Sequence, residues 1–351
     1  MAVSPMTRVS ARPLRAAGAF AGALLLAGCG APAPEQPAGE DATTRTNCGI
    51  DVAVDAPPER VYAAYQPGIE VAHALGLSDR LVGTAFLDAQ VLDEYADEQA
   101  ATDYVPTLPS REGLLETEPG FVISGFNGFF AENGSDRSVG TRAGLRELGV
   151  QSWILSPLCP SEDGLTDRAI DPASVTVDSV YRDLRDLGAL FGAEDDAEQV
   201  ISDMRERIAA VQEQVEGAPQ PSVAIVSPGD DGGYRVAGGI DFSTRIIEHA
   251  GGANAFADLT EKRNIEVGAE EIVARDPDVI LTSACCDAGM TEQDAESDVD
   301  AITADPALEG VTAVADDEVH PFLFADRSAG VRAAHSIELV ASRIHPDLVE
   351  R

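Results

Sequence analysis

The chain has 351 residues, 44% of them apolar and 24% charged, the balance of a folded soluble body of about two domains rather than of a disordered chain. Sixty-one acidic residues stand against 24 basic ones, a formal charge of −37, and Lys262 is the single lysine. That argues against nucleic acid, whose phosphates need clustered Lys and Arg, and against a basic amphipathic membrane helix; a salt-adapted host is compatible with so acidic a surface but not implied by it.

Arg8, Arg12 and Arg15 precede an apolar run from Ala16 to Ala27. The run is short of the roughly 20 residues a spanning helix needs and reads as the core of an export signal. It ends in Leu26-Ala27-Gly28-Cys29, which resembles a bacterial lipobox. Residues 1–28 are then a lipoprotein signal peptide, with Met1 or Met6 as the start, and Cys29 carries the lipid. The alternative is an ordinary secretory signal with a chance cysteine. Gly30 to Thr46 is rich in Ala, Pro, Glu and Thr, and 29–47 reads as a lipid-anchored flexible tether. The folded body is expected at the cell membrane, on its extracytoplasmic face.

Export favours disulfides among Cys48, Cys159, Cys285 and Cys286. Cys48 stands where the fold begins and Cys159 follows the strand-like Trp153-Ile154-Leu155, so these two are paired, stapling the N-terminal strand to its own lobe. For Cys285-Cys286 a vicinal disulfide, two free thiols and a metal-thiolate role all stay open.

Short apolar runs at Ile50–Val54, Arg60–Ala64, Leu81–Thr84, Phe121–Ser124 and Ser152–Leu155 read as strands. Helices are predicted over Ile69–Leu75 and Thr141–Leu148, the latter stopped by Gly149. This alternation argues a mostly parallel sheet with covered faces. Val177, Val180, Leu184, Leu187 and Phe191 then recur at helical spacing, and so, after Gly192, do Val200, Met204, Ile208, Val211 and Val215. The second of these helices, from Glu194 to Gly217, is about 36 Å long, enough to join two lobes as a rigid spacer. Further strands are predicted at Ser222–Val226, Tyr234–Ala237 and Asp278–Leu281, with helices at Phe242–His249 and Val331–Ile344. A weak repeat links the halves: Glu112 and Glu270 each sit seven residues before a proline, Pro119 and Pro277, that ends a short helix ahead of a buried strand.

His73-Ala74-Leu75-Gly76-Leu77-Ser78-Asp79-Arg80-Leu81-Val82-Gly83, both Glu-to-Pro units, Ala250-Gly251-Gly252-Ala253-Asn254 and the closing Ile337-Glu338 to His345-Pro346 resemble the iron-siderophore, haem and cobalamin substrate-binding proteins of ABC importers. The resemblance covers roughly residues 48–348. It implies an α/β fold of two Rossmann-like lobes, each with a central mostly parallel sheet, joined by a single long interdomain helix, with the ligand in the cleft between them. The lobes are then residues 48–173 and 218–351, with a helical segment at 174–217. It also implies that Glu112 and Glu270 dock against arginines of the membrane permease; the plainer reading of either is an idle surface carboxylate.

Ligands of open α/β sheets gather beyond the carboxyl ends of strands. That rule selects Tyr65, Gln66, Phe126, Asn127 and the Phe129-Phe130 pair in the first lobe. In the second it selects Tyr234, Arg235, Cys285-Cys286-Asp287 and the segment Phe324 to Arg327. Rings offer faces to a chelate or macrocycle, and arginine a planar fork and counter-charge, so Arg137, Arg327 and Arg332 are the cleft arginines. Tyr65 and Tyr234 suit packing equally well, and Arg332 suits capping of the last helix. His73, His249, His320, His335 and His345 read as structural, which leaves Tyr234 as the haem-ligand candidate.

The reading is a monomeric, non-catalytic receptor that captures a ferric siderophore and delivers it to an ABC permease and its ATPase. No cofactor and no protein metal ligand is expected. Haem, a corrinoid or a deazaflavin cofactor precursor stays open as the cargo, the last two because Asn47-Cys48-Gly49 and Ser156-Pro157-Leu158-Cys159 share the look of proteins assigned to deazaflavin-precursor or corrinoid uptake. Outside transport, the alternatives are an enzyme or another cell-surface lipoprotein. Nucleophile-elbow, P-loop, Rossmann-fingerprint and zincin motifs are absent from the sequence, and its acidic loops lack calcium-loop spacing.

Overall fold

The structure, a computed structural model, describes residues 42–131, 138–160, 170–229 and 232–349. The signal segment, Cys29 and Arg137 lie outside the described residues. The stretch read as tether does not run to residue 47, because β1 (Thr43–Asn47) pairs antiparallel with β2 (Ile50–Val54). Cys48 and Gly49 form the turn, both at positive φ (50° and 74°), as the two-residue hairpin turns that match strand twist require. The Asn47 side chain donates to Ile154 O (2.8 Å) and accepts from Ile154 N (2.9 Å), and Arg142 Nη1 donates to Asn47 O (3.1 Å). Cys48 is bonded to Cys159, as paired from the sequence, with their Cα atoms 5.2 Å apart.

The first lobe continues through β3 (Val61–Ala64), α1 (Gln66–Ala74), β4 (Leu81–Ala85), α2 (Ala96–Ala100), β5 (Tyr104–Val105), α3 (Arg111–Glu116), β6 (Phe121–Ser124), α4 (Arg142–Arg146) and β7 (Gln151–Ile154). Its strands lie in the order β5-β4-β3-β6-β7, every pairing parallel. Every residue of β3 and β6 is buried, as central strands covered on both faces must be.

Two helices follow. In α5 (Val177–Phe191) the predicted stripe is buried, Thr176 caps the start and Gly192, at φ 66°, ends it. In α6 (Glu194–Gln214) three acids occupy the first turn, the favourable end of the helix dipole. Its 21 residues span about 31 Å.

The second lobe comprises β8 (Ser222–Pro228), β9 (Tyr234–Ala237), α7 (Ser243–His249), β10 (Ala253–Asn254), β11 (Asn264–Val267), α8 (Ala269–Arg275), β12 (Val279–Leu281), α9 (Glu296–Thr303), α10 (Thr312–Ala315), β13 (Val319–His320) and α11 (Ala333–Ile344). Its sheet runs β11-β9-β8-β12-β13, with β10 beside β8. Strands β8, β10, β12 and β13 pair in parallel, while β9 and β11 are antiparallel additions. The repeat falls at matching places: α3 leads into β6 beside the first strand β3, and α8 leads into β12 beside β8.

Helix α6 packs on α1 of the first lobe and on α7 and α11 of the second. One apolar core joins both lobes through α5, α6 and α11, and a smaller one fills the outer side of the second sheet. No helix among the described residues is long and apolar enough to cross a membrane.

The Cys48–Cys159 bridge spans 111 residues, a loop whose closure is worth roughly 4–5 kcal/mol by chain entropy. Cys48→Ala with Cys159→Ala is expected to lower the unfolding free energy by up to about that amount, read as a lower urea midpoint. An unshifted midpoint would mean that the Asn47 contacts alone hold the hairpin.

Candidate functional site

The carboxyl ends of the first sheet carry an aromatic cluster. Tyr65 follows β3 and Phe86 follows β4, both at φ 63°. Non-glycine residues rarely hold that conformation, at a cost of about 1–3 kcal/mol each, and such strain gathers at functional sites. The Tyr65 ring lies 5.3 Å from Phe86, 5.5 Å from Phe126 and 6.1 Å from Phe129, centroid to centroid. Tyr65, Phe86 and Phe126 are half-buried. Phe129 and Phe130 are fully buried in the core, so this pair, selected from the sequence for the cleft, stands behind the cluster and does not itself line the cleft. Asn127 is also buried, and neither of its amide atoms has a hydrogen-bond partner among the described residues.

The second lobe contributes a cavity of about 330 Å³ at the ends of β8 and β12, lined by Ser227, Arg235, Ser283, Cys285, Phe324 and Arg327 among others. Arg327 forms its floor. Its guanidinium donates to Ser283 Oγ (3.0 Å) and Asn264 Oδ1 (2.8 Å), pairs with Asp241 (2.9 Å) and lies 4.8 Å over the Phe324 ring. Asp241 also pairs with Arg263 at 3.1 Å. Burial works against the Asp241 charge, yet Arg327 and Arg263 hold its pKa down at about 2. Arg235 is exposed on the cavity wall. Its neighbour Tyr234 points to the opposite face of β9, as strand alternation requires. That ring is buried in the outer core and its hydroxyl donates to Asp305, so Tyr234 is not a cleft residue.

Between the lobes runs a polar seam. Glu70 of α1 is fully buried and receives Arg332 Nε at 3.1 Å and Nη2 at 2.5 Å. Arg332 also donates to Asp326 Oδ1 (3.0 Å) and to Gln90 O (2.7 Å). Burial opposes its charge, but Glu70 and Asp326 raise its pKa above the ordinary value. Gln66 belongs to the same seam: it donates to Glu70 and accepts from the amides of Asp88 and Ala89. Both Arg332 and Gln66 are therefore committed to internal partners and do not line the cleft. A Cβ on Gly330 would lie 3.1 Å from Pro67 Cβ, which shows how closely the lobes approach.

The loop after β4 completes the seam. Asp88 O accepts from Cys286 N (3.1 Å), and Gln90 N donates to Met290 O (3.1 Å). Burial pushes the Asp88 carboxyl up to about 7, against the pull of Arg263, Arg327 and Arg332. Sequence reasoning passed over Phe86, Asp88, Glu70, Asp241 and Arg263. For Phe86 and Asp88 the signal was present, since both lie just past the predicted strand Leu81–Thr84. Four histidines are engaged elsewhere: His73 bonds Ser78 and Gln99, His249 bonds Gln212, His320 pairs with Glu318, and His345 contacts Gly251 O; His335 lies near enough to the seam to act on the Asp326 charge. Glu112 and Glu270 are exposed, each two residues past the cap of its helix, Ser110 for α3 and Gly268 for α8.

The family model described as periplasmic binding protein matches residues 61–320. YvrC of Bacillus subtilis, an uncharacterized ABC transporter substrate-binding lipoprotein, is 24% identical over 338 residues, 93% of this chain and 94% of YvrC. The cobalamin-binding protein of Halobacterium salinarum is 25% identical over 274 residues, 75% of this chain and 66% of that protein. Among solved structures, the ABC-type Fe3+-hydroxamate transport system of Saccharomonospora viridis superposes with a TM-score of 0.66 at 26% identity, covering 86% of this chain and 98% of that one.

Arg332→Met is expected to destabilise the protein by about 3–5 kcal/mol, because Glu70 and Asp326 would stay buried without their cation. Urea denaturation measures it, and a loss under about 1 kcal/mol would mean that the tie holds nothing.

Proposed function

The chain belongs to the periplasmic binding protein family, and from that premise we propose that it is the extracytoplasmic lipoprotein receptor of an ABC importer, capturing a ferric siderophore. The observation that carries this reading is the pairing of unlike surfaces at the lobe interface. Strained, half-buried rings end the first sheet, and a cavity with Arg235 and Arg327 ends the second. Rings suit the apolar body of a chelate and guanidinium groups its anionic oxygens. Likeness to an Fe3+-hydroxamate transport structure at 26% identity supports the same class. No bond is made or broken on the cargo, and the siderophore rather than the protein saturates the iron.

The burial of Tyr234 weighs against haem, since it removes the phenol that was the candidate axial ligand. A corrinoid is the second reading, favoured by the cobalamin-binding relative. For docking on the permease, the matched positions of Glu112 and Glu270 on equivalent helices support one contact per lobe. Exposed pairs contribute little energy each, so the two would set orientation.

Titration calorimetry against ferric hydroxamates, ferric catecholates, haem and corrinoids tests the reading. Saturable binding of a ferric siderophore is expected, and Arg235→Ala should weaken it about tenfold, the worth of one charge-assisted contact. A response to corrinoids alone selects the second reading, and a response to none defeats both. Glu112→Ala with Glu270→Ala is expected to leave binding intact and to cut uptake by cells; undiminished uptake would refute the docking role.

A further inference from the structure

Asp88, Cys285 and Cys286 form a group of potential metal ligands among the described residues, with their donor atoms all within 4.8 Å of one another. They come from opposite sides of the seam. Asp88 lies in the loop after β4 in the first lobe, while the cysteines follow β12 in the second. Cys285 Sγ lies 3.8 Å and Cys286 Sγ 3.9 Å from Asp88 Oδ1. Around a tetrahedral zinc-like cation, with metal–sulfur and metal–oxygen bonds near 2.3 and 2.0 Å, a sulfur and an oxygen stand about 3.5 Å apart and two sulfurs about 3.8 Å apart, so the Asp88 oxygen is close to place and the two sulfurs must part once their bond is broken. The backbone bond from Cys286 N to Asp88 O fixes this approach at 3.1 Å. Asp88 is 4% exposed, so water does not compete freely for its oxygens. The structure joins the two sulfurs as a disulfide.

We propose that the dithiol state of Cys285-Cys286, with Asp88, is a site for a thiophilic divalent cation that clamps the two lobes. Reduction is a two-electron step. A dithiol reductant gives up two hydrogens, which end on the Cys285 and Cys286 sulfurs as their S–S bond breaks, and it leaves as its own disulfide. Cation binding then releases those two protons, together with the Asp88 proton wherever that carboxyl carries one, and forms two metal–sulfur bonds and one metal–oxygen bond. Two thiolates and a carboxylate around a dication leave one negative charge, which the single net positive charge of Arg263 and Arg327 about Asp241 offsets. Soft sulfur donors favour zinc-group cations over calcium or magnesium. The fourth tetrahedral position is left for water or for a donor in the adjoining cavity, whose wall includes Cys285. This inference does not rest on the identity of the transported cargo.

The test uses the full chain carrying Cys29→Ser, Cys48→Ala and Cys159→Ala, so that Cys285 and Cys286 are its only thiols, treated with dithiothreitol, freed of it by anaerobic gel filtration and titrated with Cd2+. One cadmium per chain is expected, with the thiolate-to-cadmium charge-transfer band in the ultraviolet and a melting temperature raised by several degrees, as a ligand of the folded state alone produces. The oxidised protein and Cys285→Ser/Cys286→Ser should show no band. Asp88→Asn, which keeps both thiols, should bind at least tenfold more weakly. A band that survives the double serine change, or affinity unchanged by Asp88→Asn, overturns the proposal. Should Asp88→Asn fail to fold, Cys285→Ser and Cys286→Ser alone decide: each should halve the band, and an undiminished band overturns the site.

Discussion

The arrangement of the two lobes depends on one buried ion tie, Arg332 held between Glu70 of the first lobe and Asp326 of the second. All three side chains are nearly out of contact with solvent. Burying such charges costs several kcal/mol per ion, recovered only when geometry and extra hydrogen bonds are good. Here they are: Glu70 also accepts from Leu92 N and Gln66, and Arg332 also reaches Gln90 O. The tie sets where α1 sits, α1 carries Gln66, and Gln66 shapes the loop that presents Phe86 and Asp88. A change at one residue of the tie is therefore felt at the aromatic cluster and at the cysteine pair alike.

The same constraint bears on motion. Helix α6 touches both lobes, and one apolar core passes from the first lobe through α5, α6 and α11 into the second. Interiors packed in this way resist gradual deformation. The lobes are thus held by a rod, a shared core and an ion tie, which leaves room for small hinge movement rather than wide closure. A site on such a frame gains affinity from being preformed, because little ordering cost remains at the moment of binding.

Long, strongly patterned segments were legible from the residues. The stripe of α5 and the rod α6 were read near their true bounds, because burial of one helical face imposes a period that survives in sequence. The hairpin strand β1 was missed because Thr43-Thr44-Arg45-Thr46 is polar and leaves alternate residues in water; its place comes from the Asn47 contacts and the disulfide, which are tertiary. The site was harder. Looking beyond strand ends named Tyr65 and Phe126, which stand in the ring cluster of the first sheet, and Arg235 and Arg327, which line the cavity of the second, but the rule names positions, not partners. Arg332 and Gln66 met the rule and turned inward to Glu70, while Tyr234 lies on the other face of its strand from Arg235. Which way a polar residue turns is decided by an opposite charge far away in the chain, and residue type and spacing do not record that.

Two segments that pointed toward a cargo class have a structural explanation. Asn47-Cys48-Gly49 makes the hairpin turn, and Ser156 to Cys159 anchors it while Ser156 binds the buried Asp183 carboxylate. Their chemistry is spent inside the fold, so on the proposed reading discrimination falls to the cavity. There the local balance of charge departs from that of the whole chain. Arg327 and Arg263 share Asp241, and Arg235 stands free of that cluster on the wall, while Asp294 and Asp298 line the same cavity. An anionic chelate approaching a chain of formal charge −37 is repelled at a distance, but at physiological salt that repulsion fades beyond about 8 Å. Within that range it meets guanidinium groups fixed in place by Asp241 and Phe324. The acidic surface therefore slows the encounter of an anion more than it weakens the complex, since steering acts through association rate and the close contacts act through dissociation.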